Sequence, residues 1–173
     1  ELDIAGSSSP KADAEIISVA CEILEGLGLK DFTVRISNRR LVEGILLSIG
    51  VKNEKIIDVF RSLDKLDKIG PKGVEQELLG KGIGKPLVKR ILEALEAKGL
   101  ENVRKISQGR EGLENIKEIA SLVEGRGFGK RLKVDLSLVR GLEYYTGSVW
   151  EFSAEKEKSS IAGGGRYDSL VKN

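Results

Sequence analysis

Two short segments concentrate the side chains that could act on a ligand. RGLEYYTG (140–147) sets Arg140 ahead of an adjacent pair, Tyr144 and Tyr145. AGGGRYD (162–168) sets Gly163, Gly164 and Gly165 directly before Arg166, Tyr167 and Asp168. Two neighbouring tyrosines are poor core material, because each buried phenol needs a hydrogen-bond partner. Consecutive glycines at the end of a strand pattern mark a place where a side chain would block something close to the backbone. Singly, each feature has a structural alternative: Arg140 could pair with Glu143 or Asp135, and Arg166 and Asp168 could cap a final helix. The combination is what points to a ligand site.

A third glycine-rich stretch, GKGIGKPLVKR (80–90), lacks the GxxxxGK-Ser/Thr order of a phosphate-binding P-loop. It resembles half of a helix-hairpin-helix element. Lys81, Lys85, Lys89 and Arg90 stand there with no acid between Leu78 and Leu92. Two readings stay open, a turn with a solvated helix start or a weak backbone contact with nucleic acid. RGFGK (126–130) reads as a turn only.

Composition removes several chemistries. The 173 residues contain no histidine and one cysteine, Cys21. An ordinary zinc site and a catalytic histidine are therefore excluded, so no metal ligands are assigned. A lone cysteine also excludes an intrachain disulfide framework, which fits a reducing, cytoplasmic setting. Cys21 itself reads as a small buried apolar side chain. Twenty-nine Lys and Arg against 27 Asp and Glu give a net charge of +2, too little for a purely electrostatic nucleic-acid binder. No uninterrupted apolar span suits a bilayer, so no membrane partner is expected. The chain opens on Glu1 without a signal-peptide pattern and is read as a piece of something longer.

The elements that must carry these groups follow from periodicity. Asp13 is expected to cap a helix whose apolar stripe runs Ile16, Ala20, Ile23, Leu24 and Leu27, closed by Gly28. FTVRIS (32–37) alternates as a strand with one buried face, and LVEGILLSIG follows as a buried helix. From about residue 50 to 127 the pattern is helical throughout. One helix carries Ile56, Val59, Phe60, Leu63 and Leu66 and stops at Gly70-Pro71. A second opens on Pro86, and a third carries Leu113, Ile116, Ala120 and Val123. Alternation then returns in Leu132, Val134 and Leu136. SVWEF and SSIAGGG read as a hairpin around an exposed EKEK tip (155–158), and RYDSLVKN as the start of a helix. Strands on both sides of a helical block imply an α+β core, 1–49 and 128–173, interrupted by an all-helical insertion, 50–127.

Those motifs resemble the histidyl-tRNA synthetase family of class II aminoacyl-tRNA synthetases. RGLEYYTG and AGGGRYD look like its two histidine-specific motifs. ELDIAGSSSPKADAEII resembles the end of its second class-defining motif, and FTVRISNRRLVEGIL, LDKLDKIG and VDLSLVRGLEYYTG resemble its archaeal and eukaryotic branch. The resemblance implies an antiparallel-sheet core that binds ATP, with Mg2+, and L-histidine. It also implies a helical insertion reaching the acceptor end of tRNA(His), and a homodimeric parent. Asp3 falls where the family places an acid against the substrate imidazole. Arg140 falls on the catalytic arginine that holds the α-phosphate and the histidine carboxylate. Tyr144 and Tyr145 match the pocket pair, and Gly163, Gly164 and Gly165 match the strand under the substrate, followed by Tyr167. Glu143 stands for the more usual Asp. The first and third class motifs, most of the second and the anticodon-binding domain are missing, so activity is expected to be incomplete in this piece. A regulatory relative that senses histidine or tRNA without catalysis is the alternative.

Adenylate formation suits this inventory. The substrate brings its own nucleophile, so positioning and positive charge matter more than an activated serine or histidine. A guanidinium meets that need better than an ammonium. A carboxylate on one side of an imidazole and a phenol on the other would read both ring nitrogens.

Overall fold

A computed structural model of the chain describes residues 1–97, 99–106, 110–139, 141, 144–154 and 160–170. Helix α1 (Pro10–Gly26) starts on Ser9, whose hydroxyl accepts the Lys11 N–H at 3.2 Å, with Pro10 in the first turn. The expected cap, Asp13, lies inside the helix instead, and its buried carboxylate faces Arg166. That ion pair turns a different stripe inward. Ala14, Ile17 and Cys21 are buried, whereas Ile23 and Leu27, expected in the apolar face, are exposed.

Strand β1 (Phe32–Asn38) ends in the cap of helix α2 (Arg39–Ser48): Asn38 Oδ1 accepts the N–H groups of Arg40 and Leu41 at 3.0 and 3.3 Å. Alternation predicted one buried face, but β1 is covered on both. Phe32, Val34 and Ile36 face the main core, while Thr33 and Ser37 are buried on the other side.

A 3-10 turn (Asn53–Lys55) leads into α3 (Ile56–Leu63), α4 (Leu66–Gly80), α5 (Lys85–Leu95), α6 (Leu100–Ile106) and α7 (Arg110–Gly125). Helix α4 is broken at Gly70, where φ is +68° and ψ 175°. Positive φ suits glycine, and Pro71 restarts the helix in its first turn. The sequence placed no helix between Pro71 and Gly80, yet Val74 and Leu78 are buried there four residues apart. It also missed α6, which is too short to show a period.

Strands β2 (Leu132–Val134), β3 (Ser148–Ala154) and β4 (Ser160–Gly165) complete a sheet of order β2-β1-β3-β4. β3 pairs antiparallel with both β1 and β4, but the expected antiparallel sheet does not extend to the whole. β2 pairs parallel to β1, so the sheet is mixed. The crossover through α2–α7 returns the chain in the direction it left, which a tight hairpin cannot do. The register sets Ile36 beside Trp150 and Val34 beside Phe152, and α7 packs on this face and on α1 and α2. One apolar core runs from Ile17 through Ile36 and Phe152 to Phe60, Leu78 and Ile91. The EKEK tip lies outside the described residues. Where a final helix was expected, a single 3-10 turn (Asp168–Leu170) is described. No helix among the described residues is long and apolar enough to cross a membrane.

Candidate functional site

The glycine strand is not uniform. Val149 pairs with Gly165, and a Cβ on Gly165 would lie 2.7 Å from Tyr145 Cδ1 and 2.8 Å from the Ser148 carbonyl oxygen. Only a glycine lets the tyrosine ring rest directly on the strand. Gly163 has space, its nearest neighbour for a Cβ being the Trp150 carbonyl oxygen at 3.5 Å. Gly164 points to the opposite face, where a Cβ would meet the Trp150 indole Nε1 at 2.9 Å.

Tyr144 and Tyr145 form a tilted pair with centroids 4.4 Å apart and 54° between planes. Tyr144 is exposed and Tyr145 half-buried. Burial, with a hydrogen bond to Tyr144, pushes the Tyr145 phenol up to about 12. Tyr167 lies near enough for its charge to add to that rise, and its hydroxyl donates to the Asp3 carboxylate. That bond raises the Tyr167 phenol as well. The amino-terminal segment therefore folds back onto Tyr167.

The Tyr145 shift gives a measurable alkaline signature. Its folded-state value, about 12, exceeds the ordinary 10, so the folded form holds this proton more tightly. The associated stability is complete below pH 10 and is lost as pH rises through 12. Ultraviolet titration of the tyrosines will show Tyr145 ionising late, with Tyr167 also above its ordinary value, and Tyr144→Phe will bring Tyr145 part of the way down, because burial remains. A Tyr145 that titrates normally would contradict this geometry.

Arg166 holds the segment in place. Its Nη2 donates to Asp13 Oδ1 at 3.0 Å and to the Ser9 carbonyl at 2.7 Å, its Nη1 to the Ser7 carbonyl at 3.0 Å, and its Nε to Asp13 Oδ2 at 3.3 Å. It also pairs with Asp168 at 3.5 Å. Capping of a final helix is therefore not its role among the described residues. Burial raises the Asp13 carboxyl, and Arg166 works against that rise. A cleft of about 600 Å³ lies among Ile4, Ser8, Asp13, Trp150, Gly165 and Tyr167, within the usual range for small-molecule sites.

A second ionic group lies on the sheet face that carries Gly165. Arg35 donates to Asp135 at 3.1 Å, to Glu151 at 3.3 Å and to Ser137 Oγ at 3.2 Å. Both carboxylates are buried, and a wider cleft of about 1300 Å³ opens beside them. The sequence reading took Arg35 for the solvated side of a strand. The signal was there: Arg35, Asp135 and Glu151 are each a charge between apolar neighbours in three separate strand patterns.

The basic segment divides. Lys81 is turned inward, its Nζ donating to the Asp58 carbonyl at 3.0 Å and to Ser62 Oγ at 2.8 Å, with Glu77 at 3.1 Å. Lys65, and then Lys81, hold the Glu77 carboxyl below its ordinary value. Lys85, Lys89 and Arg90 are exposed at the start of α5. Arg140 lies outside the described residues.

The structure thus brings Asp3, Tyr144, Tyr145, Gly165 and Tyr167 together, with Gly163 on the same strand face. The family model for histidyl-tRNA synthetase matches residues 2–173. The chain belongs to the histidyl-tRNA synthetase family. A histidine–tRNA ligase of the archaeon Aeropyrum pernix is 42% identical over 182 residues, covering 99% of this chain and 40% of the relative. The crystal structure of the histidyl-tRNA synthetase of Nostoc sp. PCC 7120 superposes with a TM-score of 0.85 at 29% identity, over 95% of this chain and 42% of that one. A Bacillus halodurans structure described as an ATP phosphoribosyltransferase regulatory subunit/histidyl-tRNA synthetase gives 0.82 at 25% identity, over 95% and 45%. The chain spans about two fifths of the length of the curated histidyl-tRNA synthetase relative.

Proposed function

We propose that this chain is the central part of the catalytic domain of a histidine–tRNA ligase and carries its histidine pocket. The observation that carries the reading is the convergence of Asp3 and Tyr167 with the Tyr144–Tyr145 pair over Gly165. An imidazole presents a donor and an acceptor at opposite nitrogens, and Asp3 and Tyr167 match both once the ring enters between them and replaces their mutual hydrogen bond. A site built to hydrogen-bond both ring nitrogens discriminates against apolar amino acids on the order of 10⁴-fold when closed around its ligand, because they leave those groups unpaired.

In the proposed reaction a histidine carboxylate oxygen attacks the α-phosphorus of ATP, forming the new P–O bond as the bond to pyrophosphate breaks. Arg140 is assigned to the developing negative charge at the α-phosphate and to the carboxylate. Mg2+ would travel with the ATP phosphates, held by them and by groups beyond this chain. The adenylate would then pass histidine to tRNA(His). The division into core, 1–49 and 128–173, and helical insertion, 50–127, belongs to the same proposal. Exposed Lys85, Lys89 and Arg90 are its weak contacts to the acceptor end, and Lys81 supports their turn from within. A cytoplasmic homodimer is the expected parent.

The test is histidine-dependent exchange of pyrophosphate into ATP by the complete ligase. Activity that falls at least about a hundredfold in Arg140→Ala is expected. Histidine binding without any exchange would favour the second reading, a histidine-sensing regulatory relative, to which the similarity to the Bacillus halodurans protein lends support.

A further inference from the structure

We infer that Arg166 is a positioning residue for the histidine pocket, fixing the reach at which Asp3 meets Tyr167. This rests on the proposed function for its ligand and on geometry alone for its mechanism. One guanidinium joins the two segments that carry the imidazole-reading pair. It grips the amino-terminal segment at the Ser7 and Ser9 carbonyls, four and six residues beyond Asp3. It is itself held by buried Asp13 on α1. Its own backbone precedes Tyr167 directly and fixes the tyrosine pair. The Arg166 carbonyl accepts the Thr146 N–H at 2.6 Å, one residue after Tyr145, and the Arg166 N–H donates to the Ser148 carbonyl at 2.8 Å. Asp3, Tyr145 and Tyr167 therefore take their relative positions from this single residue.

The side chain is chosen for this. A fork with several donors satisfies two carbonyls and a carboxylate at once, whereas an ammonium on a flexible stem cannot span them in a fixed plane. Room for its stem is made at Gly147, where a Cβ would lie 3.0 Å from Arg166 Cδ.

The experiment compares Arg166→Lys with Gly147→Ala, which keeps every polar partner and presses only on the stem. Circular dichroism and thermal unfolding confirm that each is folded. Site-resolved tyrosine titration of this chain then reports on Tyr167, whose proton is held by Asp3 with Glu1 and Tyr145 nearby. In Arg166→Lys the Tyr167 phenol falls back toward its ordinary value. In the complete ligase the KM for histidine in pyrophosphate exchange rises on the order of tenfold to a hundredfold, with the KM for ATP unchanged. Gly147→Ala moves both readouts in the same direction by less. A purely structural role would lower the melting temperature and leave both readouts alone, which overturns the inference, as does a Tyr167 unmoved in folded Gly147→Ala if Arg166→Lys fails to fold. A Tyr167 that responds as described in a ligase whose exchange ignores histidine supports the positioning role and sinks the ligand assignment.

Discussion

Gly165→Ala will weaken histidine binding about a hundredfold and lower the melting temperature, whereas Gly163→Ala will leave the melting temperature unchanged. The two positions lie two residues apart on one strand and face the same side, so the contrast isolates local geometry. At Gly165 a Cβ collides with the root of the Tyr145 ring, 2.8 Å from Cγ, and with the backbone carbonyl of Ser148 at 2.8 Å. Neither is the free end of a flexible chain. Relief requires Tyr145 to leave the strand, and an ångström of misplacement in such a site costs about a hundredfold. Overpacking of this kind also costs about 1–3 kcal/mol. At Gly163 the nearest contact, 3.5 Å, is ordinary van der Waals distance. Calorimetric titration with histidine and thermal unfolding of both variants check the prediction. Equal behaviour of the two would show that Tyr145 does not depend on a bare strand.

The second large effect is expected at Arg35. Arg35→Ala removes the guanidinium shared by two buried carboxylates, Asp135 and Glu151. Breaking a buried ion pair by deleting one partner leaves uncompensated charge in a poorly solvated place and costs about 3–5 kcal/mol. Arg35 keeps some exposure, so the lower end of that range applies, about 3 kcal/mol. For a chain of this size that is a fall of about 10 °C in melting temperature. Arg35→Lys restores the charge without the fork and recovers part of the loss. Arg40→Ala, which breaks an exposed pair with Glu111, serves as control and changes little. A fall of less than about 2 °C for Arg35→Ala would mean that water reaches these carboxylates freely.

The pocket residues were legible because their chemistry is unusual where it stands. Paired phenols and a glycine run have few uses in an ordinary core, and both motifs also match a known family over the whole segment. Strands β1 and β3 announced themselves by alternation, and α5 and α7 by period and by proline or glycine at their ends. Failures came where a long-range contact overrode a local signal. Asp13 has every attribute of a helix cap, but a partner 153 positions later draws it inside the helix. Ile23 and Leu27 look like core residues until that ion pair turns the helix. The polar residues of β1 read as solvated because nothing local reveals that the segment after β2 covers them. Direction within a sheet is likewise invisible in a strand pattern, so the parallel pairing of β1 with β2 could not be read.

That pairing has a kinetic consequence. β1 is one of the two interior strands of the sheet, yet Arg35 meets Asp135 100 positions downstream and Glu151 116 positions downstream. As the chain emerges from the ribosome, one hydrogen-bonding edge of β1 waits for β2, at 132–134, and the other for β3, at 148–154. Contacts so remote in sequence close slowly, and an unpaired apolar strand is a template for the wrong neighbour. Truncation upstream of residue 148 should therefore convert a well-behaved protein into an aggregating one, even though every helix between α1 and α7 is already in hand.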